Sequence, residues 1–374
     1  MEFYVKTEEA QRAFKLLGVT AKVNTTDFDG QILIKALPDS VLFLSNNGSS
    51  GISCEVPANV TTQGKATVIY SKMKSFIMTF VPWDGEIGAK EFHFSSKLGK
   101  LHVATSTKHL NELETNSNLK LDQVRGSAFV SQVSLNEPTI ILNSSIMKSA
   151  IEKGLYAIDA ASLTDYVKGL RMCIESNTIR FTSTNGHVIS DYAVTSEGDL
   201  KEGDHFLSHE FLMGLRRIII DDAQLFLEFT KSKTVVALDN VVYWSTALHY
   251  KEYPQFRSLF KEEEKEIEVD RETLLNGLSS FIDILDEDDH NRVTLEMADS
   301  RLALKTDNSL FEYPGMTGTV EFSIDLDGRE MIATLHALGD DSLKLRSLGP
   351  NKGMVFESVG YEDHKSYVVS LKPR

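Results

Sequence analysis

Apolar positions along this chain follow two rhythms. Over most of its length they alternate with polar ones or gather in short β-branched stretches. Examples are Gln31-Ile-Leu-Ile-Lys, Lys65-Ala-Thr-Val-Ile-Tyr, Thr178-Ile-Arg-Phe-Thr, Thr234-Val-Val-Ala-Leu and Arg301-Leu-Ala-Leu-Lys, bounded by Asn, Asp, Gly and Ser. Such runs predict strands, because successive side chains of a strand point to opposite faces. Six segments switch to the i, i+3, i+4, i+7 spacing that puts one apolar stripe on a helix. Thr7–Leu17 carries Ala10, Ala13, Phe14 and Leu17, with Thr7 expected as N-cap. Ser71–Phe80 carries Met73, Phe76, Ile77 and Phe80. Asn143–Ala160 starts its stripe with Ile146, Met147, Ala150 and Ile151, behind Asn143 as cap. Ser208–Ile218 carries Phe211, Leu212, Leu215 and Ile218. Asp270–Leu285 carries Leu274, Leu275, Leu278, Phe281, Ile282 and Leu285, capped by Asp270. Asp327–Leu338 carries Met331, Ile332, Leu335 and Leu338, with Gly339 placed to follow the helix end.

The helices come in pairs, one pair to each third of the chain. This spacing predicts an α+β protein built as a threefold structural repeat of about 120 residues. The boundaries are 1–125, 126–255 and 256–374. With one apolar stripe each, the helices must lie on sheet faces and keep a solvated side.

Charge sharpens this division. The chain has 374 residues, 39 basic against 54 acidic, for a net charge of -15. Basic and acidic residues number 14 and 13 in the first third, 11 and 16 in the second, 14 and 25 in the third. A uniformly basic nucleic-acid binder is thereby excluded, whereas a local basic lining on an acidic body is not. Such a lining is visible on the helices: Arg12 and Lys15, Lys72 and Lys74, Lys148 and Lys153, Arg216 and Arg217. The fifth helix offers Asn276, Ser279 and Ser280 instead, and the sixth only Arg329 and His336.

Two cysteines, Cys54 and Cys173, are too few for a disulfide framework or a thiolate metal site. No Gly-rich phosphate loop, nucleophile elbow or metal-type histidine spacing occurs, so no enzyme activity, cofactor or metal is expected. The start Met1-Glu-Phe-Tyr-Val-Lys does not read as a signal peptide, and no stretch of 18 apolar residues occurs. The expectation is a cytoplasmic protein without membrane contact.

Ile146-Met-Lys-Ser-Ala-Ile-Glu-Lys-Gly, then Tyr166-Val-Lys-Gly, then Thr184-Asn-Gly-His resemble the middle domain of the bacterial DNA polymerase III β sliding clamp. That family has x-M-K-x-x-I, Y-L-N-G and T-D-G-H-R-L in this order. Tyr253-Pro-Gln-Phe-Arg, Ser366-Tyr-Val-Val and Met1-Glu-Phe-Tyr-Val are similar to the family's F/Y-P-D-Y-R, A-Y-V-V and M-K-F-T-V. The chain departs from the pattern at Val188, where the family has Arg, and at its ending Ser370-Leu-Lys-Pro-Arg. These departures mark a divergent member, of the kind a bacteriophage can encode.

The resemblance implies two helices per domain on antiparallel sheets, and a head-to-tail homodimeric ring. Helices would line the hole, around sequence-independent duplex DNA, and the ring would do no bond chemistry. DNA polymerase and clamp loader would bind through linear peptide motifs. By position, the partner-peptide pocket would comprise Val167, Thr184, Gly186, His187, Ile189, Pro254, Leu259, Val368 and Leu371. The dimer would join Phe281, Ile284 and Leu285, beside the acidic run 286–289, to an edge strand near Thr107–Leu113 bearing Leu110 and Leu113. Two alternatives stand beside this: a scaffold of the same fold without a replication role, and an enzyme with an unrecognised site.

Overall fold

Helices form where the apolar spacing placed them. They are α1 Thr7–Leu17, α2 Tyr70–Ile77, α3 Ser144–Gly154, α4 His209–Ile218, α5 Arg271–Ser279 and α6 Gly328–Ala337. The computed structural model describes residues 1–23, 25–85, 87–109, 113–124, 133–196, 200–220, 222–261, 266–285, 289–314, 320–349, 352–360 and 364–372. The second, third and fifth helices stop short of their sequence patterns, the second at Ile77, before Phe80. A 3-10 turn, Leu155–Ala157, takes over after Gly154. In α5, the Ser280 hydroxyl donates to the Gly277 carbonyl (2.6 Å), and a 3-10 turn Ile282–Ile284 follows. A serine hydroxyl that bonds the last turn competes with the helix ladder there.

The caps follow the sequence in part. Asp270 accepts the Thr273 amide (2.7 Å) and Asn143 accepts the Ser145 amide (2.8 Å). Thr7 is not the N-cap. Its own amide donates to Lys90 O (3.2 Å), its side chain is buried, and Lys6 holds the cap position without a side-chain bond. Leu338 ends α6 in an extended conformation, so Gly339 makes no left-handed turn.

The chain forms two compact units. The first comprises Met1–Ser145 and Glu210–Ala247. One of its sheets runs, strand by strand, Glu114–Asp122, Lys100–Lys108, Glu91–Lys97, Glu2–Lys6, Asn59–Thr62. The other has eight strands: Ile140–Asn143, Gln224–Phe229, Lys233–Leu238, Val241–Thr246, Ser50–Pro57, Ser40–Asn46, Gln31–Ala36 and Gly64–Ile69. Fully buried rings of Phe3, Phe14, Phe43, Phe92 and Phe94 fill its core, with Phe3 and Phe94 stacked at 4.7 Å. Here α1 and α2 pack together, and the buried Gln11 of α1 donates to the Ile77 and Phe80 carbonyls (3.0 and 2.7 Å), closing the end of α2. Gly214 in α4 has a packing reason, since a Cβ there would fall 2.2 Å from the Tyr243 hydroxyl.

The second unit comprises Ile146–His209 and Leu248–Arg374. Its eight-stranded sheet runs Gly203–Ser208, Gly169–Glu175, Thr178–Thr184, Val188–Thr195, His364–Val369, Gly353–Ser358, Ser342–Ser347, Glu266–Asp270. A four-stranded sheet runs Leu310–Glu312, Arg301–Lys305, Arg292–Ala298, Phe322–Asp327. Between them α5 and α6 pack on a core that includes Val293, Leu295, Leu326, Met331, Leu335 and Leu343.

Every pairing between these strands is antiparallel. Each eight-stranded sheet takes four strands from the middle third of the chain, so hydrogen bonding crosses the thirds that the helix spacing marks out. The expected boundary at 125/126 lies outside the described residues. That at 255/256 falls in the strandless segment 247–261.

The expected edge strand near Thr107–Leu113 needs correction. The strand that ends the sheet is Glu114–Asp122, which pairs in register along Lys100–Lys108. His109 follows the one strand and Leu113 precedes the other, with the His109 amide donating to Leu113 O (2.9 Å). Nine consecutive cross-strand pairs fix this register, from Glu114 opposite Lys108 to Asp122 opposite Lys100. Leu110 lies outside the described residues.

Candidate partner groove and nucleic-acid interface

The groove expected from the sequence lies wholly in the second unit. Strands Val188–Thr195 and His364–Val369 pair with Val188 opposite Val368 and Ile189 opposite Tyr367. Alternation then sends the two pairs to opposite faces. Val188 and Val368 enter the main core with Leu345, Met354 and Phe356. On the other face, Ile189 and Tyr367 join Leu348, Val355 and Val369. Half-buried Ile189, Leu259 and Phe260 belong also to a second cluster formed by Phe206, Tyr253 and Phe256 with Tyr166, Leu248 and Tyr250. One apolar surface results, with three half-exposed side chains at its middle.

A tight turn borders this surface. The Thr184 hydroxyl donates to Val188 O (2.7 Å) and accepts the Gly186 amide (3.1 Å). Asn185 Oδ1 accepts the amides of His187 and Val188 (2.9 and 2.8 Å). Gly186 has φ +94, where a side chain would strain the backbone. His187 is exposed, and its carbonyl accepts the Val369 amide (2.9 Å). Leu371 is half-buried, with its amide on Asp325 O (2.8 Å).

Of the nine positions named from the sequence, Ile189 and Leu259 share the apolar surface. Gly186 and His187 lie on the bordering turn and Leu371 on the tail. Val167, Thr184 and Val368 are buried, with exposures of 4, 4 and 1%, and Pro254 is exposed. The sequence reading missed Tyr166, Phe206, Tyr253, Phe256, Phe260 and Tyr367 as parts of this surface. For Tyr253, Phe256 and Phe260 the signal was the density of aromatic residues in 248–260; Tyr166, Phe206 and Tyr367 had none of that kind.

Charged pairs back the aromatic cluster. Arg171 donates twice to Asp204 (2.9 and 2.7 Å) and lies over the Tyr253 ring at 5.0 Å. Arg257 grips Glu175 with two bonds of 3.0 Å, which hold that carboxyl below its ordinary range. Burial pushes the Asp191 carboxyl up, against its pairing with Arg180 and Thr182. The Tyr253 hydroxyl donates to Thr182 O (3.2 Å), and burial raises its pKa strongly.

The basic helix residues divide into two kinds. Arg12, Lys15, Lys72, Lys148, Arg216 and Arg217 are exposed, opposite their buried stripes. Lys74 is half-buried over the Tyr70 ring (5.4 Å), and Lys153 is half-buried with its ammonium 4.0 Å from the Tyr192 ring centre. These two are held by cation–π contact within their own unit. Arg12 reaches Asp239 at 4.0 Å. Outward on α5 are Glu272, Asn276 and Ser279, and on α6 Arg329 and His336.

Of the residues named for a dimer contact, Leu113 and Ile284 are 62 and 53% exposed. Phe281 is buried in the core, so it offers no surface. Leu285 is half-buried against the same core. With Ile284 and Arg292 it lines a hollow of about 180 Å³. In the first unit Phe80, Val81, Ile87 and Thr115 line a hollow of about 350 Å³. Residues 286–288 of the acidic run lie outside the described residues.

Among the described residues no group of three or more His, Cys, Asp or Glu is placed to hold a metal ion, and no helix is long and apolar enough to cross a membrane.

No family model matches the sequence, and no curated protein matches it. Solved structures do match, over the full length of both chains. The DNA polymerase III subunit beta of Pseudomonas aeruginosa superposes with a TM-score of 0.87 at 13% identity, covering 100% of each chain. The beta subunit of DNA polymerase from Streptococcus pyogenes gives 0.86 at 14%, again with 100% of each. DNA polymerase III beta subunit from Thermotoga maritima gives 0.84 at 11%, with 100% of each. The chain therefore has the sliding-clamp fold.

Proposed function

We propose that this protein is a DNA sliding clamp: a non-enzymatic homodimeric ring of three domains per chain, 1–125, 126–255 and 256–374. It would encircle duplex DNA and tether a replicative polymerase in the cytoplasm. The observation that carries this reading is the end-to-end match to bacterial polymerase III beta subunits at TM-scores of 0.84 to 0.87. A match to one domain would fit many functions; a match covering all of both chains fits far fewer. Exposed cations on α1 to α4 of a chain with charge -15 add a second line of support. They favour phosphate contact without sequence readout, on a body that otherwise repels DNA.

The half-exposed Ile189, Leu259 and Phe260 supply the apolar floor on which a linear motif would anchor. Clamp loader and polymerase would both use it. Dimerisation would join the exposed Ile284 of one chain to the surface near Leu113 of the next, a head-to-tail contact that closes after one rotation. The first third at net +1 and the last at -11 are complementary, which speeds such association.

Light scattering should give about twice the 41.8 kDa chain mass. Loaded onto nicked circular DNA, the protein should stay bound through a salt wash and leave when the circle is linearised. A monomer, or retention indifferent to linearisation, would exclude a ring.

A further inference from the structure

The turn Thr184–Val188 and the tail beyond Val369 border the apolar surface, and both are fastened to one segment. That segment, Asp325–Glu330, runs from the end of strand Phe322–Asp327 into the first turn of α6. The tail is tied by Leu371 N to Asp325 O (2.8 Å). Arg292 reinforces it, donating to Lys372 O (3.1 Å) and to the Asp325 carboxylate (2.6 Å). The turn is tied by Asn185, whose Nδ2 donates to Glu330 Oε1 (2.9 Å), while its Oδ1 holds the amides of His187 and Val188. Glu330 is itself fixed, because its amide donates to the N-cap Asp327 (3.2 Å). Turn and tail are also joined directly, Val369 N to His187 O (2.9 Å).

Asn185 uses both ends of its amide at once. An aspartate could accept the two turn amides equally well, but it could not donate to Glu330. It would instead set two carboxylates face to face. The asparagine in Thr184-Asn-Gly-His therefore has a partner-dependent reason to be an amide.

We propose that Asn185 and Glu330 are positioning residues: together they clasp the groove's turn to the start of α6, and so set the groove to receive a linear peptide. This rests on the partner groove proposed above. The groups facing Glu330 are Asn185 and His187 from the turn, Asp327 from its own element and Tyr156 from the Leu155–Ala157 turn. Burial holds the Glu330 carboxyl above its ordinary range, opposed by the Asn185 bond. A second carboxylate there would be poorly tolerated at neutral pH and better tolerated in acid, where one of the pair protonates.

The test is a swap of chemistry across the clasp, using the full chain and a fluorescent peptide bearing the clamp-binding segment of a bacterial replicative polymerase. Asn185→Asp should weaken the peptide at least about tenfold at pH 8, and less at pH 5.5, where the carboxylate pair is relieved. Adding Glu330→Gln restores a donor across the gap and should return affinity to within about threefold of wild type, with the pH dependence gone. Wild-type affinity in Asn185→Asp, or a folded double variant that stays weak, overturns the clasp. Amide exchange at His187 and Val188 is read in the same proteins. If wild type binds no peptide, the groove reading fails. The clasp then stands or falls on whether exchange rises in Asn185→Asp and is restored by Glu330→Gln.

Discussion

His364 has no exposed surface, bonds Ser190 Oγ through Nε2 (3.2 Å), and meets the Tyr192 ring edge-on at 6.2 Å. Burial first, then the Lys153 ammonium, pushes its imidazole down to about 3. In the unfolded chain it titrates near its ordinary value of 6.5. Between those limits the unfolded chain binds a proton that the folded one refuses. Stability is therefore full above about pH 6.5 and falls as pH drops toward 3, by up to about 1.4 kcal/mol per pH unit from this group. In urea unfolding between about pH 6 and pH 4.5, His364→Gln should show a shallower loss than wild type. Equal slopes would mean that the folded protein protonates the ring. Asp270 behaves with the same sign for another reason: its bonds to Thr273 lower its pKa, so the cap is lost only below the ordinary carboxylate range. Asp270→Ala should cost about 1 kcal/mol at neutral pH by the same measurement, and Asp270→Asn less.

Elements in this protein depend on single side chains from their neighbours. The Gln11 amide from α1 serves two carbonyls at the end of α2. Gln11→Leu keeps the volume but leaves a buried acceptor bare, at a cost of about 1–3 kcal/mol in urea unfolding. The tail is held in the reverse manner, by backbone to backbone through Leu371, and by Ser370 N on Lys352 O (3.3 Å). Deleting 370–374 should weaken peptide binding at least about tenfold while the dimer mass stays unchanged, because the residues named for the dimer contact lie elsewhere. Unchanged peptide affinity would remove the tail from the groove.

The whole molecule is where the charge pattern acts. Lys72, Lys148, Arg216 and Arg217 are exposed, whereas Lys74 and Lys153 rest on aromatic rings. Reversing the first four to Glu should leave the unfolding midpoint nearly unchanged. It should also cut retention on circular DNA, most at low salt, where the wild type gains most from released counterions. Retention equal to wild type at every salt concentration would exclude the helix faces as the DNA surface. For ring closure, Ile284 is the informative position, since Leu285 and Phe281 also serve the core. Ile284→Asp should give folded chains of half the wild-type mass by light scattering. A variant that still sizes as a dimer would place the contact elsewhere.

Six helices, the strand content and the caps at Asn143 and Asp270 were legible in the sequence alone. These follow from periodicities of 3.6 and 2 and from short side-chain bonds, all local to a few residues. The sequence also exposed the basic helix residues and, through Thr184-Asn-Gly-His and Tyr253-Pro-Gln-Phe-Arg, the neighbourhood of the proposed groove. What it could not determine were relations between distant residues. Val368 and Tyr367 are adjacent in sequence and equally apolar in pattern, yet one joins the main core and the other the apolar cluster on the opposite face. Only the pairing with Val188 and Ile189 decides which face each takes. The eight-stranded sheets crossing the thirds of the chain, the edge strand at Glu114–Asp122 rather than near Thr107, and the Asn185–Glu330 clasp are of the same kind. Each is a contact over tens to hundreds of residues, chosen by register and burial in three dimensions, and no local rhythm of the chain encodes it.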